Sequence, residues 1–200
     1  MQKLSPSDLV INSDGSAYHL NILPEDVADT VITVGDPDRV SVVSQHFDQI
    51  ELKKGKREFI THTGNIGNKR ITVLSTGIGT DNIDIVLNEL DALVNIDFDT
   101  RTINSELRSL DIIRVGTSGA VQTDVEMGTI LASSYGLGLD ALMHYYLKEM
   151  SGDERNIYDD LQSHFAELKG IHPYVTAADA SLLEKFKDSV ETGITLTAPG

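Results

Sequence analysis

The sequence predicts an α/β fold: a single domain over residues 1–200 with a mixed, mainly parallel sheet flanked by helices. Three observations carry this. β-Branched runs stop at small-residue turns three times, at Val34-Gly35, at Ser75-Thr76-Gly77 and at Val115-Gly116. Behind the first two turns apolar residues recur at helical spacing, so strand and helix alternate as they do around a crossover sheet. With 200 residues, 40% hydrophobic and 24% charged, the chain can bury about 70% of its unfolded surface in one core.

Taken in order, Thr30-Val31-Ile32-Thr33-Val34 is a strand ending at Gly35, and Val40, Val43 and Phe47 then mark a helix. Residues 50–63 read as one extended stretch, with Arg57-Glu58 in mid-strand on a Lys-rich, solvated edge. A hairpin turn at residues 65–68 leads into a strand over 70–75. Ile83, Val86, Leu87, Leu90, Leu93 and Val94 then line one face of a helix of roughly four turns. Residues 95–108 are polar and acidic, a helix end plus loop, before a strand over 110–115. Further on, a strand is expected over 127–134, an amphipathic helix over 139–150 and a surface loop over 151–156. Residues 159–169 and 180–187 read as helices, and 174–176 and 192–197 as strands. Thr197-Ala198-Pro199-Gly200 reads as a strand exit of the kind that feeds a ligand loop. The expectation is therefore a chain lacking its C-terminal part.

Sixteen basic against thirty-one acidic residues give a net charge of −15, which disfavours nucleic acid and anionic membranes as partners. A small anion is a different case. A few converging arginines make a local field that surface acids, screened beyond about 8–10 Å, do not cancel. The absence of Cys removes disulfides, thiolate metal sites and Cys nucleophiles together. The six histidines form no H-x-x-x-H or H-E-x-x-H pair, and there is no G-x-S-x-G elbow or P-loop lysine. No apolar run reaches the roughly 18–20 residues of a membrane span, and the N-terminal residues hold no signal-peptide core. A cytoplasmic location is expected.

Two turns have the chemistry of an anion cradle. In Gly35-Asp36-Pro37-Asp38-Arg39, Gly allows close backbone approach, Asp36 suits an N-cap and Pro37 the first helical position. The helix start then offers free N–H groups, and Arg39 a forked donor matched to phosphate oxygens. The alternative is a capped helix with Arg39 in water. In Arg114-Val115-Gly116-Thr117-Ser118-Gly119, an arginine at a strand end precedes a hydroxyl-rich turn, a second half of such a cradle. Here the alternative is a structural pair between Arg114 and an acid such as Asp111. Gly77-Ile78-Gly79 is half of a dinucleotide fingerprint. Gly136-Leu137-Gly138-Leu139-Asp140-Ala141 fits G-x-G-x-x-A, but without a clean βαβ unit before it. His19, before any strand, reads by itself as a surface histidine.

In this order the segments resemble the nucleoside phosphorylase family of uridine phosphorylase and the hexameric purine nucleoside phosphorylases. The resemblance rests on Tyr18-His19-Leu20, Gly35-Asp36-Pro37-Asp38-Arg39, Arg57-Glu58-Phe59, Ser75-Thr76-Gly77-Ile78-Gly79, Asn88-Glu89-Leu90 and Arg114-Val115-Gly116-Thr117-Ser118-Gly119. It implies phosphorolysis of a nucleoside to free base and ribose 1-phosphate, with inorganic phosphate as co-substrate and no organic cofactor. It places Gly35, Arg39, Arg114 and Thr117 on the phosphate, with Arg57 reaching it from a neighbouring subunit. His19 falls on the ribose 5′-hydroxyl across the subunit boundary, and Ser118 and Gly119 on the sugar and base side. It implies a homodimer, or a hexamer built as a trimer of dimers. A monovalent cation, K+, is implied at Glu58, Ile78 and Asn82, although Asn82 stands where the family has Ser. Arg57-Glu58-Phe59 and Ser75-Thr76-Gly77-Ile78-Gly79 lean toward the uridine type, with purine preference open. The family's base-recognising and ribose-gripping residues fall beyond Gly200, so no catalytic residue is named. The competing functions are a nucleosidase that uses water, and a non-catalytic phosphate-binding or regulatory domain.

Overall fold

The computed structural model describes residues 3–165 and 170–198. The chain forms two compact units, Met1–Thr117 and Ser118–Gly200, each described here by itself.

The first unit runs β1 (Thr30–Val34), α1 (Asp38–Ser44), β2 (Gln49–Lys56), β3 (Phe59–Ile66), β4 (Lys69–Ser75), α2 (Thr80–Asn95), β5 (Ile96–Asp97), β6 (Thr102–Ile103) and β7 (Asp111–Arg114). Five strands make one sheet in the order β2-β3-β4-β1-β7. β1 pairs in parallel with β4 and with β7, while β2, β3 and β4 form an antiparallel meander. The sheet is mixed as expected but not mainly parallel, since its parallel and antiparallel pairings are equal in number. β1 lies inside the sheet between β4 and β7, and its β-branched side chains on both faces are buried, apart from half-buried Ile32. The alternation of β2 between exposed and half-buried positions fits an edge strand.

Side-chain alternation divides the core between the two faces of this sheet. Val31 of β1 and Leu74 of β4 pack with Val86, Leu90 and Leu93 of α2, joined by Leu20 and Ile22 from the N-terminal segment. Val34, Ile71 and Val73 pack with Val40 of α1 on the other face. A helix thus covers each side. Full burial of each such side chain is worth about 1.5–3 kcal/mol.

Two expectations for this unit change. Arg57-Glu58 is the two-residue turn between β2 and β3, not mid-strand, and Arg57 takes φ 57°. Residues 95–108 are not simply a helix end and loop, because Ile96 runs straight from α2 into β5, which pairs with β6. The side chain of Asn95 secures the return, its Oδ1 accepting from the amide of Arg108 at 2.7 Å.

The second unit holds β8 (Leu131–Gly138), α3 (Gly152–His164), β9 (Tyr174–Ala177), α4 (Ala180–Glu184) and β10 (Glu191–Thr197). Its sheet has the order β10-β8-β9, with β10 parallel and β9 antiparallel to β8. The strands expected over 174–176 and 192–197 and the helix begun at 180 are present. The strand expected over 127–134 lies four residues later, at Leu131–Gly138.

The helix expected over 139–150 is replaced by a single 3₁₀ turn, Leu142–Tyr145. The cause is Asp140, a buried residue whose carboxylate accepts from the amide of Leu142 and from the phenol of Tyr174, each at 2.9 Å. Burial, and then this hydrogen bond, push the Tyr174 phenol above its ordinary pKa. The loop expected over 151–156 is instead the start of α3. The expected helix over 159–169 is therefore the later part of a helix that ends at His164, and residues 166–169 lie outside the described ones. Of the expected strand exit at 197–200, Pro199 and Gly200 also lie outside them.

Gly136 and Gly138 sit inside β8, so the G-x-G-x-x-A match is not a dinucleotide-binding turn. A Cβ on Gly138 would stand 2.0 Å from Cζ of Tyr174. Gly138→Ala is accordingly expected to cost about 1–3 kcal/mol by overpacking, read as a lower urea midpoint at unchanged slope. An unchanged midpoint would show that the ring can yield.

Candidate functional site

Three neighbouring parallel strands, β4, β1 and β7, end at one edge of the first unit's sheet. Backbone hydrogen bonds carry the ladder past the strand ends, from the amide of Thr76 to the carbonyl of Val34 at 2.8 Å and from Val115 to Thr33 at 2.9 Å. The chain leaves β1 through α1 toward the β4 side and returns through α2 to β7 on the other side. The end of β1 is thus where the connections reverse direction, the place at which open α/β sheets leave a crevice.

A cavity of about 690 Å³ lies there. Gly35, Asp36, Pro37 and Arg39 line it from the β1 exit, and Gly77, Ile78 and Asn82 from the β4 exit. Arg114, Gly116 and Thr117 complete it from β7, and Glu58 from the β2–β3 turn. Four of the five residues expected on phosphate, Gly35, Arg39, Arg114 and Thr117, therefore share one hollow.

Local structure explains how each is held. Asp36 braces the turn, its Oδ1 accepting from the amide of Asp38 at 2.9 Å and its carbonyl from Arg39 at 3.1 Å, but regular helix begins at Asp38, so Pro37 and not Asp36 stands at the N-cap and Pro37 is not the first helical residue. α1 has only seven residues, so the positive charge at this edge comes from guanidinium groups far more than from a helix dipole. Arg114 Nη2 lies 3.5 Å from where a Cβ on Gly35 would be, which puts the guanidinium over a bare Cα. Glu58 is fixed by Ser75, a buried hydroxyl at the end of β4 that donates to the Glu58 carbonyl at 2.5 Å and accepts from Ile60 at 2.8 Å.

The charge balance is unusual for a chain of net charge −15. Arg70 pairs with Glu51 at 2.8 Å, Arg108 with Asp29 at 2.5 Å, and Arg101 donates to the carbonyls of Leu4 and Ser5. Arg39 and Arg114 have no ion-pair or hydrogen-bond partner among the described residues. The alternative pair with Asp111 is not formed, since residues three apart on a strand point to opposite faces. The two carboxylates lining the cavity are engaged elsewhere, Asp36 by its turn and Glu58 by Asn82.

Glu58, Ile78 and Asn82 do come together. The amide nitrogen of Asn82 donates to Glu58 Oε1 at 3.1 Å and to the carbonyl of Ile78 at 3.3 Å. The amide thus sets an N–H donor against one carboxylate oxygen of Glu58 and the Ile78 carbonyl, where the implied K+ would need an acceptor, so the set as it stands does not fit that ion. Among the described residues no cluster of three or more His, Asp or Glu could hold a metal. Gly77 makes room for the bridge: its φ is +69°, and a Cβ on it would lie 2.7 Å from Asn82 Nδ2 and 2.9 Å from Glu58 Cγ. Gly77→Ala is expected to cost about 1–3 kcal/mol through clash and left-handed strain, measured as a fall in melting temperature. A neutral result would mean that the β4 exit can refold.

The remaining predicted residues do not line this cavity. Arg57 sits at the hairpin tip, exposed and without a partner among the described residues. His19 lies in the N-terminal segment, its Nδ1 2.7 Å from Glu89 Oε1, while the amides of His19 and Leu20 also donate to that carboxylate. Ser118 and Gly119 are exposed residues of the second unit. From the sequence Glu89 enters only inside the Asn88-Glu89-Leu90 match, with no role attached to it. Its signal is a carboxylate among the apolar positions 86, 90 and 93 of α2, where only an internal partner makes burial tolerable.

The chain matches the Phosphorylase superfamily over residues 29–200. It is 32% identical over 148 residues to a uridine phosphorylase of Thermococcus kodakarensis, covering 74% of this chain and 48% of that protein. It is also 30% identical over 116 residues to a DeoD-type purine nucleoside phosphorylase of Alkaliphilus metalliredigens, covering 58% of this chain and 44% of that protein. Among solved structures, a Trypanosoma brucei nucleoside phosphorylase described as showing uridine phosphorylase activity superposes with TM-score 0.85 at 30% identity. That match covers 96% of this chain and 69% of the other. A Toxoplasma gondii purine nucleoside phosphorylase, at 21% identity and TM-score 0.62 over 96% of this chain and 65% of its own, shares the fold. The chain spans about half the length of the curated relatives it matches.

Proposed function

Since this chain belongs to the phosphorylase superfamily, we propose that it carries the phosphate side of a nucleoside phosphorylase site, with uridine favoured and purine nucleosides second. The observation behind the reading is the pair of guanidiniums, Arg39 and Arg114, that have no partner among the described residues and open into one cavity of a strongly acidic chain. Relatives named uridine phosphorylase favour the pyrimidine, and the purine-type relative keeps the second option.

In this reading Arg39, Arg114, Thr117 and the backbone at Gly35 hold inorganic phosphate beneath the anomeric carbon, and Arg57 of a neighbouring copy adds a further cation. As the C1′–N bond stretches, the ribose gains oxocarbenium character that the phosphate dianion stabilises. A phosphate oxygen then bonds to C1′, the electron pair of the broken bond leaves with the base, and the base takes up a proton. The products are free base and ribose 1-phosphate. His19, oriented through Nδ1 by Glu89, meets the ribose 5′-hydroxyl of a neighbouring copy's substrate, and Ser118 and Gly119 line the sugar and base side. The smallest competent unit is a dimer, with a hexamer of three dimers as the larger form. No organic cofactor enters and no step runs through a metal. A cytoplasmic setting belongs to the same proposal. No described helix is long and apolar enough to cross a membrane.

The test is base release from uridine and from inosine, with and without phosphate. Release is expected only with phosphate, faster from uridine. Equal release without it would make water the nucleophile and the protein a nucleosidase. A melting shift with phosphate but none with nucleoside would leave a phosphate-binding module.

A further inference from the structure

We infer that the side-chain amide of Asn82 takes the place of a monovalent cation in the wall of the cavity, so that the protein's fold at this point is indifferent to K+. Glu58 comes from the β2–β3 turn, Ile78 from the β4 exit and Asn82 from the first turn of α2. Two separate pieces of chain must therefore be held together here, the β2–β3 turn and the continuous stretch from Ile78 into α2. Glu58 and Ile78 present only acceptors, a carboxylate oxygen and a backbone carbonyl, which leave a repulsive gap unless something positive or hydrogen-bearing stands between them.

A cation is one solution and an NH₂ group is the other. The amino group of Asn82 has two hydrogens and meets two acceptors, at 3.1 Å to Glu58 Oε1 and 3.3 Å to the carbonyl of Ile78. Since both partners only accept, the amino face and not the carbonyl face of the amide points at them. The bond to the carboxylate is charge-assisted and is the stronger of the two. The bare Cα of Gly77 faces the amide at a distance that leaves no room for a methyl group, so the backbone is shaped around this side chain. Serine, the residue implied here by the resemblance, offers a shorter hydroxyl with one hydrogen. It cannot bridge both oxygens, and it adds an oxygen to them. The amide and the cation are thus alternative ways of making the same clasp, one internal and one taken from solution. The internal form leaves the charge of Glu58 unneutralised.

The experiment is thermal melting of the wild-type protein, N82S and N82D at equal ionic strength in K+, Na+ or choline chloride. It needs no turnover, so its outcome is separate from that of the phosphorylase reading. Wild type is expected to melt at one temperature in all three salts. N82S is expected to melt about 2–4 °C lower than wild type in choline and to recover in K+. N82D, which sets a second carboxylate opposite Glu58, is expected to depend on K+ more steeply. A wild-type melting temperature that rises in K+ over choline overturns the inference, as does N82S matching wild type in choline. Should neither variant fold, the wild-type comparison still decides it.

Discussion

Arg39→Ala and Arg114→Ala are each expected to raise the phosphate concentration for half-maximal base release by roughly 10- to 100-fold, with a smaller change in the nucleoside KM. Each guanidinium supplies charge-assisted hydrogen bonds to an anion, worth about 1.5–3 kcal/mol apiece, and about 1.4 kcal/mol is a factor of ten. Stability is expected to stay near wild type, because neither side chain has a partner in the fold among the described residues. This separates a ligand-binding arginine from a structural one such as Arg101, whose loss would strip hydrogen bonds from the carbonyls of Leu4 and Ser5. Arg→Lys at either site keeps the charge but loses the fork, so an intermediate loss is expected. If one anion touches both groups, the double variant falls short of the summed single effects. Calorimetric titration with inorganic phosphate reads the same loss without turnover. Phosphate affinity unchanged in both single variants would remove the anion site, and the phosphorylase reading with it.

Much of this site was legible in the sequence because its parts are strand exits. A β-branched run halted by glycine marks the end of a strand whatever surrounds it, and Val34-Gly35, Ser75-Thr76-Gly77 and Val115-Gly116 all have that form. That the three exits meet depends on β1 lying between β4 and β7, which follows from the crossover connections and not from any one segment. The misreadings have non-local or side-chain causes. The Arg57-Glu58 turn contains none of the usual turn formers, and Arg57 accepts a left-handed φ because Ser75, on another strand, fastens the carbonyl of Glu58. Residues 139–150 carry a helical apolar pattern, but Asp140 bonds Tyr174, thirty-four positions away, and this contact outweighs local propensity. The start of α3 is a different case. Its signal, Ser151 followed three residues later by Glu154, is a capping box in plain sequence, hidden only by polar neighbours that make the stretch resemble a loop.

Glu154 is where the second unit is expected to be most sensitive. Its residue is 5% exposed, and its carboxylate accepts from Lys148 Nζ at 2.5 Å, from the amide of Ser151 at 2.8 Å and from the amide of Ala177 at 2.8 Å. One side chain thus ties the 148 segment, the head of α3 and the end of β9. Lys148, followed by the two amides, holds the carboxyl well below its ordinary value, at about 2, against the opposing effect of burial. Glu154→Ala leaves two amides without their acceptor and takes from Lys148 its carboxylate, leaving it only the Val175 carbonyl and the Thr176 hydroxyl, and is expected to cost about 3–5 kcal/mol, read from urea unfolding near neutral pH. The pH dependence has a definite sign. Because the folded value lies below the unfolded one, the unfolded chain binds more protons between about 4.5 and about 2. The stabilisation is therefore complete above about pH 4.5 and lost as pH falls toward about 2. The gap between those values corresponds to at most about 3 kcal/mol, less whatever solvent screens at the half-exposed Lys148. Other carboxylates with lowered values, among them Asp14 and Asp97, add to the acid sensitivity of the whole protein, so wild type alone does not isolate the effect. Glu154→Gln does: it keeps the shape and one acceptor but cannot titrate, so it is expected to lose less stability than wild type between about pH 7 and about pH 3. Equal losses in the two proteins would show that Lys148 and the amides do not hold the carboxylate as the geometry requires.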